Sequence, residues 1–205
     1  MSGMRENAGN VLLSIARAAI ANALGKSSCS LAEDSPWLHE KGASFVTLTR
    51  HQQLRGCIGT LQARRSLLLD VKANAHAAAF RDPRFSPLTE AELNSTDIEI
   101  SLLSAMQPLQ FSDEHEALAQ LQPGIDGVVF EFGRYRSTFL PQVWEQLPDA
   151  AAFMAHLKHK AGLHPDFWAK EVRLYRYTVS KWKEVDVRQG TRKALNQIAA
   201  GRIQK

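Results

Sequence analysis

The sequence is poor in cysteine, with only Cys29 and Cys57 among 205 residues. Two thiols cannot build a disulfide scaffold, and alone they cannot supply a four-thiolate zinc site or an iron–sulfur cluster. Long apolar runs are missing too. Arg, Asn or Gly interrupts each stretch before the roughly 18 residues that a membrane span needs. The opening MSGMRENAGN carries Glu6 and leads into no apolar stretch, so no signal peptide is expected and the expected location is cytoplasmic. There is no P-loop, no GxGxxG, no GxSxG elbow and no cysteine triplet. These absences exclude a P-loop nucleotidase, a dinucleotide dehydrogenase and a radical S-adenosylmethionine enzyme.

What is present is an ordinary globular composition, 44% hydrophobic and 22% charged, which excludes disorder as the general state. At roughly 150 residues per domain, the length fits one large domain or two small ones. The net charge is +4, and its location matters more than its size. Arg188, Arg192, Lys193, Arg202 and Lys205 lie in a C-terminal stretch without an acid. Without those five, 20 basic residues face 21 acidic ones, so the body is neutral and the basicity belongs to the tail. A neutral body does not make a sequence-reading surface, and specific nucleic-acid binding is not expected. The chain is therefore divided into a domain over 1–187 and a basic tail over 188–205. In that tail Leu195, Ile198 and Ala199 stand at helical spacing, which predicts a marginal terminal helix.

Periodicity predicts a helix over Asn10–Leu24 and a loop over Lys26–Gly42 that holds Trp37 and Leu38 against the core. Strands are expected at Ala43–Arg50 and Leu54–Leu61, close enough for a hairpin, followed by a helix Leu67–Phe80 capped by Ser66. That helix should stop at Asp82-Pro83. Later elements are a strand Asp97–Leu103, a short helix Asp113–Leu121, a hairpin through Gly133-Arg134, helices from Pro141 and over Ala150–Ala161, and a strand Glu171–Val179. Hairpins and separate helices, without a βαβ alternation, predict an α+β fold with antiparallel sheets and packed helices.

One segment is dense in signals: Leu54-Arg55-Gly56-Cys57-Ile58-Gly59-Thr60. A two-residue period puts Arg55 and Cys57 on one strand face. A guanidinium beside a thiol would favour the thiolate. Gly56 and Gly59 weaken the strand but clear space for a backbone or a ligand. The plainer alternative is that Cys57 is a small core residue, as most free cysteines are.

This segment resembles the AMME chromosomal-region domain family, whose prokaryotic members are called AmmeMemoRadiSam system protein A. The resemblance runs through Phe45–Leu61, Asn74–Phe85 (NAHAAAFRDPRF), Ile98–Ser104, Gly124–Phe130, Thr138–Trp144 and Lys160–Leu163, in the family's order. It implies two unequal subdomains with a cleft between them, the larger built from both chain ends. It also implies a Memo-like protein and a radical S-adenosylmethionine enzyme as partners. No cofactor or metal follows from it. The residues in its signature blocks are Arg55, Gly56, Cys57, Gly59, Asn74, Asp82, Arg84, Glu99, Ser101 and Gln142.

Cys57 and Arg55 are the candidate catalytic pair. Gly56, Gly59, Asn74, Asp82, Arg84, Glu99, Ser101 and Gln142 are candidates for binding a polar or anionic small molecule. Asp82 and Arg84 fit a surface ion pair equally well, and Glu99 with Ser101 fits any half-exposed strand. Nucleophilic chemistry needs a base, for which His51 and His76 are the sequence neighbours. His156, His159 and His164 lack any accompanying metal-ligand pattern. Two functions stay open: an enzyme or substrate-handling subunit centred on Cys57, or a non-catalytic binding or adaptor module with a structural Cys57. A nucleic-acid-associated protein using its basic tail is a weaker third.

Overall fold

A computed structural model describes residues 8–28 and 33–186. Cys29 and the tail helix expected after Thr191 lie outside them. The fold is α+β with antiparallel sheets, and the chain divides into two compact units. One runs to Leu102 and resumes at Lys181; the other is Leu103–Ser180.

The first unit opens with α1, Ala8–Ala23, whose Leu12, Ile15 and Ile20 are fully buried at helical spacing. Strand β1 (Lys41–Arg50) and strand β2 (Gln53–Gly59) form the expected hairpin. Its turn is two residues long, with His51 at φ 52° and Gln52 at φ 64°. Two left-handed residues in succession match the twist of the flanking strands, although neither residue is a glycine. A short strand β3 (Arg65–Ser66) pairs with the start of β1 and leads into α2, Leu67–Phe80. Ser66 stands at the α2 boundary, but its side chain makes no capping bond; its backbone is taken up in β3 opposite Lys41. One turn of helix, α3 (Glu90–Leu93), precedes strand β4 (Thr96–Leu103). Nothing in the apolar periodicity announced α3; its signal is the capping box between Thr89 and Glu92.

The first sheet has the order β2-β1-β4-β9, where β9 is Val179–Lys183. Val46 and Leu48 of β1 and Ile98 and Ile100 of β4 belong to one core with α1 and α2. Each buried leucine or isoleucine there contributes about 1.5–3 kcal/mol relative to exposure. Since side chains alternate along a strand, the opposite side carries Phe45 and Thr47 of β1 and Glu99 and Ser101 of β4. The core thus fixes which residues are left for the outer side.

The second unit has a sheet of order β5-β8-β6-β7, formed by Gln107–Pro108, Arg173–Tyr177, Gly127–Phe132 and Tyr135–Phe139 respectively. Helices α4 (Glu114–Ala119) and α5 (Ala150–Lys160) complete it, with Trp144 stacked on Phe153 at 3.8 Å. Pro141 opens a 3-10 helix, Pro141–Glu145. The strand expected over Glu171–Val179 is two strands in different sheets. They break at Thr178, whose C=O and N–H are both held by Ser104, at 2.9 Å each. Among the described residues, no helix is long and apolar enough to cross a membrane.

Candidate functional site

The β1–β2 register decides which way the signature residues point. Thr47 stands opposite Cys57 and Leu48 opposite Gly56, but Thr49 stands opposite Leu54. Arg55 is therefore an extra, unpaired residue, a β-bulge that breaks the two-residue period. Gly56 lies on the buried side with Leu48, whereas Cys57 lies with Thr47 on the outer side. Arg55 follows Gly56, because its guanidinium meets Glu92, the carboxylate that Arg50 also reaches from the Leu48 side. The expected shared face for Arg55 and Cys57 is thus corrected: the bulge turns them apart.

Arg55 has a structural task. Its Nε and Nη2 donate to the two carboxylate oxygens of Glu92 at 3.1 and 3.2 Å, and Arg50 Nη1 adds a third bond at 3.1 Å. The Thr89 N–H and hydroxyl complete the shell of Glu92, each at 2.9 Å. Chiefly through Arg55, and then the Thr89 N–H, the Glu92 pKa is pulled down to about 2. Sequence patterning did not single out Glu92, although the Thr89-x-x-Glu92 spacing was there to be seen.

The thiol of Cys57 is half-buried, and its Sγ lies 3.2 Å from Thr47 Oγ1. Its partner is a hydroxyl and not an imidazole. His51 sits in the hairpin turn, and His76 packs against Phe80 at 5.0 Å. The Cys57 peptide is clamped from the loop after α2. Asp82 accepts the Cys57 N–H at 2.8 Å, and Arg84 Nη2 donates to the Cys57 C=O at 3.2 Å. Because β2 ends the sheet, this acid–base pair supplies the acceptor and donor that a further strand would have offered. Asp82 is buried and also takes Arg84 Nε and Nη2 at 2.9 and 2.7 Å. The Arg84 side chain, helped by the Cys57 N–H, holds the Asp82 carboxyl well below the usual range. Arg84 is itself exposed and lies 5.5 Å from the centre of the Phe85 ring, with Arg55 at 6.0 Å from the same ring.

The two signature glycines make room for the protein's own atoms. A Cβ on Gly56 would stand 2.1 Å from the Ala78 carbonyl oxygen, and one on Gly59 would stand 2.2 Å from the Phe45 ring. Asn74 belongs to a separate buried network. Its amide reaches the Ser44 C=O at 2.9 Å, Thr60 Oγ1 at 3.0 Å and Asp70 Oδ2 at 2.9 Å. Asp70 is fully buried and also binds the Ser44 N–H and hydroxyl, the Thr60 hydroxyl and Arg65 Nε. This network ties α2 to the hairpin, and Asp70 at its centre carries no motif that marks it in the sequence.

Glu99 and Ser101 lie on the same outer side as Cys57; Glu99 pairs with Lys183 of β9 at 3.2 Å, and Ser101 is buried. Gln142 is exposed on the 3-10 helix of the second unit. The candidate residues of the first unit therefore separate into an outer-side group (Cys57, Gly59, Glu99, Ser101), a clamp (Asp82, Arg84), two supports (Arg55 at Glu92, Asn74 at Asp70) and the contact glycine Gly56, while Gln142 belongs to the second unit. Among the described residues, no three His, Cys, Asp or Glu side chains are grouped to hold a metal ion.

Comparison with known proteins places this geometry in a family. The profile of the AMMECR1 family matches residues 13–182. Protein MJ0810 of Methanocaldococcus jannaschii is 35% identical over 184 residues, covering 88% of this chain and 92% of that one. A Sulfolobus acidocaldarius protein is 36% identical over 186 residues, covering 87% and 82%. The crystal structure of uncharacterized protein PH0010 from Pyrococcus horikoshii superposes with a TM-score of 0.70 at 32% identity, over 86% of this chain and 91% of that one.

Proposed function

Since the chain belongs to the AMMECR1 family, we propose that the outer side of its first sheet, with Cys57 at the centre, is a binding surface for a polar small molecule. The protein acts as a substrate-handling subunit in the cytoplasm, beside a Memo-like protein and a radical S-adenosylmethionine enzyme. The observation that carries this reading is the way Cys57 is held. Its peptide is fixed at both N–H and C=O by Asp82 and Arg84, while its half-buried thiol stays on the outer side beside Thr47. Fixing the backbone orients the thiol and the hydroxyl for a ligand without further ordering cost. Beyond β1, Glu99 of β4 and its ion-pair partner Lys183 of β9 add charge to the sheet.

Binding is favoured over nucleophilic catalysis because the thiol faces a hydroxyl, and no hydrogen bond among the described residues joins it to an imidazole or a carboxylate. That same feature favours a second reading, an adaptor module in which Cys57 is structural. A thermal-shift screen of metabolites against the full-length protein, alone and with both partner proteins, separates them. Handling predicts at least one polar compound that raises the melting temperature, less so in Thr47→Val and Cys57→Ser. A screen without such a compound, or one whose shift both variants keep, leaves the adaptor.

A further inference from the structure

In the second unit, β8 and the chain leaving β5 separate at a defined point. Their register pairs Gln107 with Arg176 and Pro108 with Tyr175, and the Leu109 N–H still donates to the Leu174 C=O at 2.9 Å. Two residues further, the same register would bring Phe111 opposite Val172 to exchange main-chain hydrogen bonds. The Val172 N–H is instead spent on the Ala169 C=O at 3.1 Å, closing the turn that feeds β8. The ladder stops there. The Phe111 N–H is left with no main-chain partner among the described residues. A cavity of about 230 Å³ opens in the fork, between Gln110 and Phe111 on one arm and Lys170, Arg173 and Tyr175 on the other.

The charge of this fork has one sign. Its lining includes Lys170 and Arg173 and no carboxylate. Arg173 Nη2 lies 3.5 Å from Glu131, but that carboxylate already holds Arg136 at 2.7 Å, so one acid serves two guanidiniums. Lys170 is exposed and has no ion-pair partner among the described residues. Two basic residues, Gln110 and a Phe111 N–H without a main-chain partner among the described residues, lining a space below the roughly 300–1,000 Å³ of drug-sized sites, suit a small charged group. We propose that this fork is a binding site for a small oxyanion, the carboxylate or phosphate head of a metabolite. It goes beyond the Cys57 surface and shares no residue with it.

The test is an amide-resolved NMR titration of the full chain with inorganic phosphate and, separately, with benzoate, using benzyl alcohol as the uncharged control. Saturable shifts are expected at Gln110, Phe111, Lys170 and Arg173 with at least one of the two anions, and the responding anion identifies the head group. Lys170→Glu, at an exposed position without an ion pair among the described residues, should weaken binding about tenfold or more while the melting temperature stays put, and Arg173→Gln should weaken it in the same direction. Absence of saturable shifts from both anions overturns the proposal. So does an equal response to benzyl alcohol, or unchanged affinity in the Lys170→Glu protein.

Discussion

Glu92→Ala removes the acceptor on which two guanidiniums and the start of α3 converge. The Arg55 and Glu92 side chains are 13% and 16% exposed, so the pair is largely withdrawn from water. Arg55 Nη1 is already buried without a hydrogen-bond partner among the described residues, and the substitution would strand the rest of the guanidinium. Breaking a buried pair from one side costs about 3–5 kcal/mol, because the surviving charge keeps its desolvation penalty. At about 2–4 °C per kcal/mol for a chain of this size, the melting temperature should fall by about 6–20 °C. The exposed Lys26–Glu90 pair is the internal control: Lys26→Ala should cost less than about 1 kcal/mol. Acid titration gives a second readout. Glu92 titrates near 2 in the folded chain and near 4.5 when unfolded, so its contribution is complete above the higher value and lost as pH falls through the lower. Calorimetry between pH 7 and pH 2 should show the wild type losing its advantage over Glu92→Gln across that window. A Glu92→Ala protein within about 0.5 kcal/mol of wild type, or parallel acid limbs, would refute the reasoning.

Gly56→Ala drives a methyl group onto the Ala78 carbonyl, a backbone atom that cannot swing aside, and should cost about 3 kcal/mol in chemical denaturation. Gly59→Ala meets Cγ of the half-buried Phe45 ring, which only a change of the Phe45 χ1 rotamer can move, and should cost less than a clash with a backbone atom; the reverse order would contradict the contact argument. In the hairpin turn, His51→Asn with Gln52→Gly relieves two left-handed non-glycine residues and should stabilise the protein by about 1 kcal/mol. An unchanged or lower melting temperature would show that the turn carries no such strain.

How much of this was visible in the sequence depends on whether a feature is periodic. Helices α1 and α2, the two hairpins and the antiparallel α+β class follow from alternation and from helical spacing, and they appear where expected. The bulge at Arg55 does not. One extra residue in β2 keeps the pairing after it but reverses the face of the residues that precede it, and no composition signal marks it. Consequently the shared face read for Arg55 and Cys57 fails: Cys57 is joined to Asp82 and Arg84, not to Arg55. Asp70 and Glu92 escaped notice because their partners include groups far along the chain, Ser44 26 residues from Asp70 and Arg50 42 residues from Glu92, which no local pattern joins. The break at Thr178 was equally hidden, since both strands beside it carry strand-forming residues and only tertiary pairing assigns them to different sheets.

The proposed binding surface requires the Cys57 thiol to lie outside the core. That requirement is tested most directly by the alkylation rate of Cys57 with iodoacetamide, a small neutral reagent, in the native full-length protein. Peptide mapping separates the Cys57 product from that of Cys29. The half-buried thiol on the outer side of the sheet predicts modification under native conditions, at a rate linear in reagent and unaffected by substitutions that only change global stability. A rate that saturates at the unfolding rate, with Cys57 untouched until the chain unfolds, would contradict the account and make Cys57 a packing residue.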